Sequence, residues 1–204
     1  MKKLVECVPN FSEGREKDVI HSIVKSMQLV ENVKVLDVDS GKDTNRTVVT
    51  IVGDPMAVLE SAFIGIKTAS ELIDMNKHQG THPRIGATDV CPIIPVSEVS
   101  DDECINLTKT LGKRVGEELK IPIYLYEKSA QYKNRTKLPI IRSGEYEGLA
   151  KKLSDPEWKP DFGPSVMHPQ AGATVIGCRD FLIAYNINLN TKDTRLATDI
   201  AFEL

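Results

Sequence analysis

The chain has 204 residues, 41% hydrophobic and 27% charged, with a formal net charge of −3. That size and balance fit one large globular domain or two small ones, with a core that needs neither metal nor disulfide. The composition argues against a nucleic-acid partner, because no basic stripe offsets the weak negative charge. It also argues against a membrane span, because no apolar run approaches the ~20 residues a bilayer requires.

Lys3–Val8 is apolar and β-branched and predicts a strand, reached directly from Met1-Lys2 with no signal-like apolar region. Residues 17–30 carry Val19, Ile20, Ile23, Val24 and Met27 near a 3.6-residue period and predict a helix. Strands are expected at 33–38 and 46–52. Asp54-Pro55 then reads as an N-cap and first helical position for a helix to about Met75. A loop from Asn76 to Thr88 precedes a strand at 90–94, where Pro92 suggests an edge or a bulge. Ser100 and Glu103 form a capping box for a helix to about Leu119, followed by a strand at 121–126.

Residues 131–169 are polar and loop-rich, with a short helix near 146–153. Strand-like segments follow at 173–177 and 181–189, then helical spacing at 193–202. The first six elements read β-α-β-β-α-β, the split βαβ of ferredoxin-like folds, so the expected architecture is an α/β (α+β) sandwich with helices on one sheet face. Cys7, Cys91, Cys104 and Cys178 form no CxxC pattern and read as reduced thiols of a cytoplasmic protein. The histidines supply no zinc-ligand spacing, so no metal is expected.

Three loops concentrate Gly, Pro and polar residues, where function on a rigid scaffold gathers. They are Val8–Arg15, His78–Asp89 and Gly163–Ala173. In the second, Pro83 restrains His82, whose imidazole can move protons near neutral pH, and Arg84 adds a permanent cation. The plain alternative is a solvent-exposed turn histidine. Asp37, Asp39 and Asp43 could orient a histidine or hold a cation, or could be a solvated acidic hairpin. Arg46 could grip a carboxylate bidentately, or form an ordinary surface ion pair. The third loop could lie flat against a planar ligand, or simply connect two units. His21 and His78 read as surface residues.

Taken together, the motifs resemble the glutamate formiminotransferase family. They include Glu6–Arg15, Asn45-Arg46-Thr47-Val48, His82–Val90, Ile141–Glu147, Asp161–Pro164, Gly172–Gly177 and Phe181–Leu189, in order along nearly the whole chain. The resemblance implies transfer of a formimino group from N-formimino-L-glutamate to N5 of tetrahydrofolate. The alternatives kept open are formyl transfer from formylglutamate and a non-catalytic folate-binding or assembly module. It implies two ferredoxin-like subdomains with folate between them: residues 1–178 as the N-terminal one and 179–204 as the truncated start of the second. His82 is then the acid–base catalyst, with Asp39 as the candidate to set its tautomer. The folate contacts fall to Gly163, Pro164, Ser165, Val166, Met167, His168, Pro169, Gln170, Ala171 and Gly172. Arg46 and Arg84 become candidates for substrate carboxylates. The partners implied are folate and glutamate-type molecules, plus a homodimer mate or a chain supplying the second subdomain.

Overall fold

The computed structural model describes residues 2–183 and 189–203. Its strands are β1 (Leu4–Cys7), β2 (Asn10–Phe11), β3 (Val33–Gly41), β4 (Arg46–Gly53), β5 (Thr88–Ser97), β6 (Ile123–Leu125) and β7 (Thr174–Cys178). Its helices are α1 (Lys17–Gln28), α2 (Pro55–Leu72), α3 (Asp101–Glu118), α4 (Leu138–Arg142), α5 (Glu145–Leu153) and α6 (Thr194–Glu203). Two expected caps form: the Asp54 side chain accepts from Met56 N at 3.2 Å, and Ser100 Oγ accepts from Glu103 N at 3.2 Å.

The strands make one mixed sheet. β3 pairs with β4, β4 with both β1 and β2, and these in turn with β5, all antiparallel. β7 then joins β5 and β6 in parallel. This is a mixed α/β domain. Along β4, Thr47, Val49 and Ile51 are buried, while Arg46, Val48 and Thr50 are only half-buried. The buried set packs against α1 and α2 in the main core, and the other set looks out from the opposite face.

Two expectations are corrected, and a third falls largely outside the described residues. Pro92 is not on an edge, because β5 lies between β1/β2 and β7. A proline is tolerated there because the facing chain breaks at Val8-Pro9, and Val8 N donates to Pro92 O at 3.1 Å. Helices do not keep to one face either. The alternate residues of β5, β6 and β7, Val90, Tyr124 and Val175, meet Ile141 of α4 with Leu149 and Leu153 of α5 in a second core. A short period-2 strand cannot reveal from sequence that both of its faces are covered. The expected strand at 181–189 falls largely on residues 184–188, outside the described residues; 181–183 carry no strand pairing.

The cysteines, scattered in sequence, are free and buried. Cys7 Sγ and Cys91 Sγ lie 3.4 Å apart, and burial pushes the Cys7 thiol well up. No described helix is long and apolar enough to cross a membrane.

Candidate active site

The three glycine- and proline-rich loops meet at one end of the sheet. Ser12 N donates to Ala87 O at 2.8 Å and Ser12 Oγ to Gly86 O at 2.7 Å, joining the first loop to the second. Ala87 N donates to Ala171 O at 2.9 Å and Ala173 N to Ile85 O at 3.1 Å, joining the second to the third. The approach is so close that a Cβ on Gly86 would sit 2.0 Å from Ala173 O. Gly172, at φ +69°, would place one 2.3 Å from Ile85 O.

His82 lies at the rim of this junction and is half-buried. Its segment is clasped to the β3–β4 hairpin by Thr81, whose N donates to Asp43 O at 3.1 Å. His82 Nδ1 donates to Pro83 O at 2.7 Å. A carbonyl can only accept, so the proton sits on Nδ1 and Nε2 keeps a bare lone pair. Burial, then the Arg46 charge, hold the imidazole below its ordinary pKa. Arg142 adds to the depression, while the Pro83 carbonyl and Asp89 oppose it.

Asp89, at the start of β5, is 1% exposed. Its Oδ1 accepts from Ile85 N at 3.0 Å and from Arg142 Nε at 3.3 Å, and its Oδ2 accepts from Arg142 Nη2. Arg46 is different. It makes no ion pair among the described residues, and its Nε is buried without a hydrogen-bond partner. Burial lowers its pKa, and the charges of Asp89 and Asp39 act against that. Asp39 lies inside β3 rather than in the turn. It pairs with Val48, on the same uncovered sheet face as Arg46, and is exposed. Its charge acts on Arg46, and it makes no hydrogen bond to His82.

Arg84 sits elsewhere, 7% exposed, with its donors committed. Nη1 and Nη2 reach Glu147 at 2.9 and 2.7 Å, and Nη1 also reaches Glu145 at 2.9 Å. The Arg84 guanidinium holds the Glu147 carboxyl down to about 2. A substrate carboxylate would have to displace both glutamates. His78, expected at the surface, is buried beside it at 9% exposure. Next to these groups is an open depression of ≈ 280 Å³ walled by Pro83, Pro139, Arg142 and Glu145.

The third loop presents Gly163, Ser165, Val166 and Pro169 outward, with Val166 71% exposed. Gly163 has φ +81° and fits only because it lacks a Cβ, which would meet Ile121 O at 2.5 Å. His168 braces the loop from within. Its Nδ1 accepts from Gln170 N and Ala171 N at 3.3 and 2.9 Å, and its backbone pairs with Gly172.

A family model described as "Formiminotransferase domain, N-terminal subdomain" matches residues 4–179. The chain belongs to this family. It is 56% identical over 194 residues to the formimidoyltransferase-cyclodeaminase of Rattus norvegicus, covering 95% of this chain and 36% of that protein. It is 50% identical over 200 residues to the glutamate formimidoyltransferase of Thermoplasma acidophilum, covering 97% and 66%. The glutamate formimidoyltransferase of Streptococcus pyogenes serotype M1 is 45% identical over 201 residues, covering 98% and 67%. This chain thus spans about a third of the bifunctional relatives, as the 36% shows, and about two thirds of the shorter ones.

In this formiminotransferase-family chain, the structure gathers His82, Arg46, Asp89 and Arg142 within electrostatic reach and leaves Arg84 committed to Glu145 and Glu147. Sequence reasoning singled out His82 and Arg46 and gave Asp89 as an acceptor near His82, but did not pair it with Arg142. Those two residues lie 53 apart, and no local pattern links them. The one available signal was that both fall inside motifs shared with the family.

Proposed function

We propose that this chain is the folate-binding part of a transferase that moves the formimino group of N-formimino-L-glutamate to N5 of tetrahydrofolate. What carries the reading is His82: its Nε2 keeps a lone pair because Nδ1 is committed to Pro83 O, within reach of the Arg46 charge, whose Nε is buried without a partner among the described residues. A neutral imidazole with one open nitrogen is suited to take a proton and return it.

In this reading the pterin lies along Gly163–Gly172. N5 attacks the amidine carbon and forms a C–N bond, and the N5 proton passes to His82 Nε2. The tetrahedral intermediate collapses when that proton returns to the glutamate nitrogen, which leaves with its bond electrons. Arg46 takes a substrate carboxylate, steadied by Asp39. Arg84 shapes the loop rather than touching substrate, because its donors already serve Glu145 and Glu147.

The same reading gives finer meaning to the fold. The run β1 to β5, with sheet order β3-β4-β1-β5 and antiparallel pairing throughout, supports a ferredoxin-like subdomain over residues 1–178. Residues 179–204 then begin a second subdomain in a cytoplasmic enzyme. The uncovered face bearing Arg46, Val48 and Asp39 is the wall offered to that second subdomain.

Replacing His82 by Gln tests the assignment. Turnover should fall by about 10²–10⁴-fold, with folate affinity nearly unchanged, because proton transfer acts in the transition state. A variant that turns over like the parent removes His82 from the role.

A further inference from the structure

We propose that Asp89 and Arg142 form a positioning pair for His82, in which one buried carboxylate fixes both the loop that carries the imidazole and the guanidinium that walls the depression beside Pro83. The inference rests on His82 being the proton carrier. It adds a residue pair that acts through His82 without touching the reacting atoms.

The geometry carries the proposal. Asp89 Oδ1 accepts from Ile85 N at 3.0 Å, which anchors the His82–Gly86 segment just past Pro83. The same carboxylate takes Arg142 through Nε at 3.3 Å and through Nη2, a side-on, two-nitrogen grip that fixes the guanidinium plane. Asp89 is 1% exposed, so the pair is held in a fixed setting rather than exchanging with water. Arg142 ends α4, whose Ile141 is buried in the second core, so the helix cannot carry the guanidinium away from the loop. Arg142 also walls the ≈ 280 Å³ depression beside Pro83, the residue that follows His82.

The charges that act on His82 come from three different elements. Arg46 comes from β4, Arg142 from α4 and Asp89 from β5; Asp39, on β3, acts on Arg46 in turn. The two guanidiniums disfavour an imidazolium and the carboxylate favours one. A carboxylate held in place by Arg142 therefore partly compensates the cations. It keeps His82 neutral at rest yet still able to take a proton in the reaction.

This arrangement makes a prediction with two opposite signs. Arg142→Gln removes a cation and leaves the Asp89 charge, so the His82 titration midpoint should move up. Asp89→Asn removes the carboxylate and leaves both guanidiniums, so the midpoint should move down. A pair that only props the loop would move both variants the same way or neither.

The measurement is the His82 ring resonance followed against pH in the purified 204-residue chain. It is assigned by its loss in His82→Gln, and His21, at an exposed position, serves as internal control. Should Asp89→Asn fail to fold, Asp89→Glu and Arg142→Lys keep the test alive. Both retain charge and should leave the midpoint near the parent value while lowering turnover if position matters. Opposite shifts for the neutralising variants support the pair. Shifts of one sign, or none, overturn it. The titration readout needs no transfer activity: opposite shifts together with full turnover in His82→Gln would sink the transferase reading of His82 alone, and loss of turnover in His82→Gln without opposite shifts would sink only this pair.

Discussion

Arg84 Nε donates to His78 Nδ1 at 3.1 Å, and an arginine cannot accept in return. The His78 proton must therefore sit on Nε2, which donates to Asn45 O at 2.9 Å. This imidazole is thus fixed as neutral, and protonating Nδ1 would break its bond to a buried cation.

Acid should therefore weaken the fold as the buried histidines are forced to take protons. Burial lowers the pKa of His78, and burial is also the leading cause for His82 and His168. Between those depressed values and the ordinary 6.5, the unfolded chain binds more protons than the folded one, so stability rises with pH. The contribution is fully present above pH 6.5 and is lost as pH falls through that window. Urea midpoints measured from pH 7.5 down to about pH 5 should fall, and His78→Gln should flatten the slope. A flat parent profile would contradict the assignment.

Arg84 and Glu147 should respond unequally to substitution, although they are partners. Arg84 is 8% exposed at its side chain and Glu147 67%. Glu147→Gln leaves Glu145 in place and should cost under about 1 kcal/mol. Arg84→Met strands His78 Nδ1 and frees two carboxylates to repel, and should cost roughly 3 kcal/mol. Thermal unfolding of both variants at pH 7 ranks them.

Arg46→Gln should separate binding from folding. Its guanidinium is half-buried and unpaired among the described residues, so its removal should leave stability within about 0.5 kcal/mol or raise it. The Michaelis constant for an anionic donor should rise, since a charged hydrogen bond contributes about 1.5–3 kcal/mol. An unchanged Michaelis constant would move the carboxylate site elsewhere.

Two glycines should give opposite signs when changed to alanine. Gly172→Ala forces a left-handed φ of +69° on a residue whose Cβ would meet Ile85 O at 2.3 Å. It should destabilise by about 2 kcal/mol or more and loosen the junction of the second and third loops. Gly148 lies inside α5, where an added methyl group would meet nothing within 4 Å, so Gly148→Ala should stabilise by roughly 0.5–1 kcal/mol. Denaturant midpoints compare the two directly.

Much of the fold was legible because its signals are local. The 3.6-residue spacing of α1, the alternation along β4 and the caps at Asp54 and Ser100 all sit within one element. What was not legible depends on distant partners. Pro92 read as an edge or a bulge because sequence cannot show that the opposing strand breaks at Val8-Pro9. His78 looked exposed because its burial is set by Arg84 and by Asn45, 33 residues away. At the site, His82 and Arg46 stood out through residue type and neighbouring Pro or strand pattern. Asp39 and Arg84 stood out equally, and only side-chain geometry separates a committed guanidinium from a free one.

The placement of β7 has a bearing on how the chain comes together. β6 joins the sheet only through β7, and β7, at residues 174–178, is the last strand among the described residues to leave the ribosome. Until it arrives, one margin of β5 stands open and β6 has no ladder to enter. This margin of the sheet therefore closes by wedging a late segment between two earlier ones, a long-range pairing of the kind that forms slowly and leaves strand edges open meanwhile.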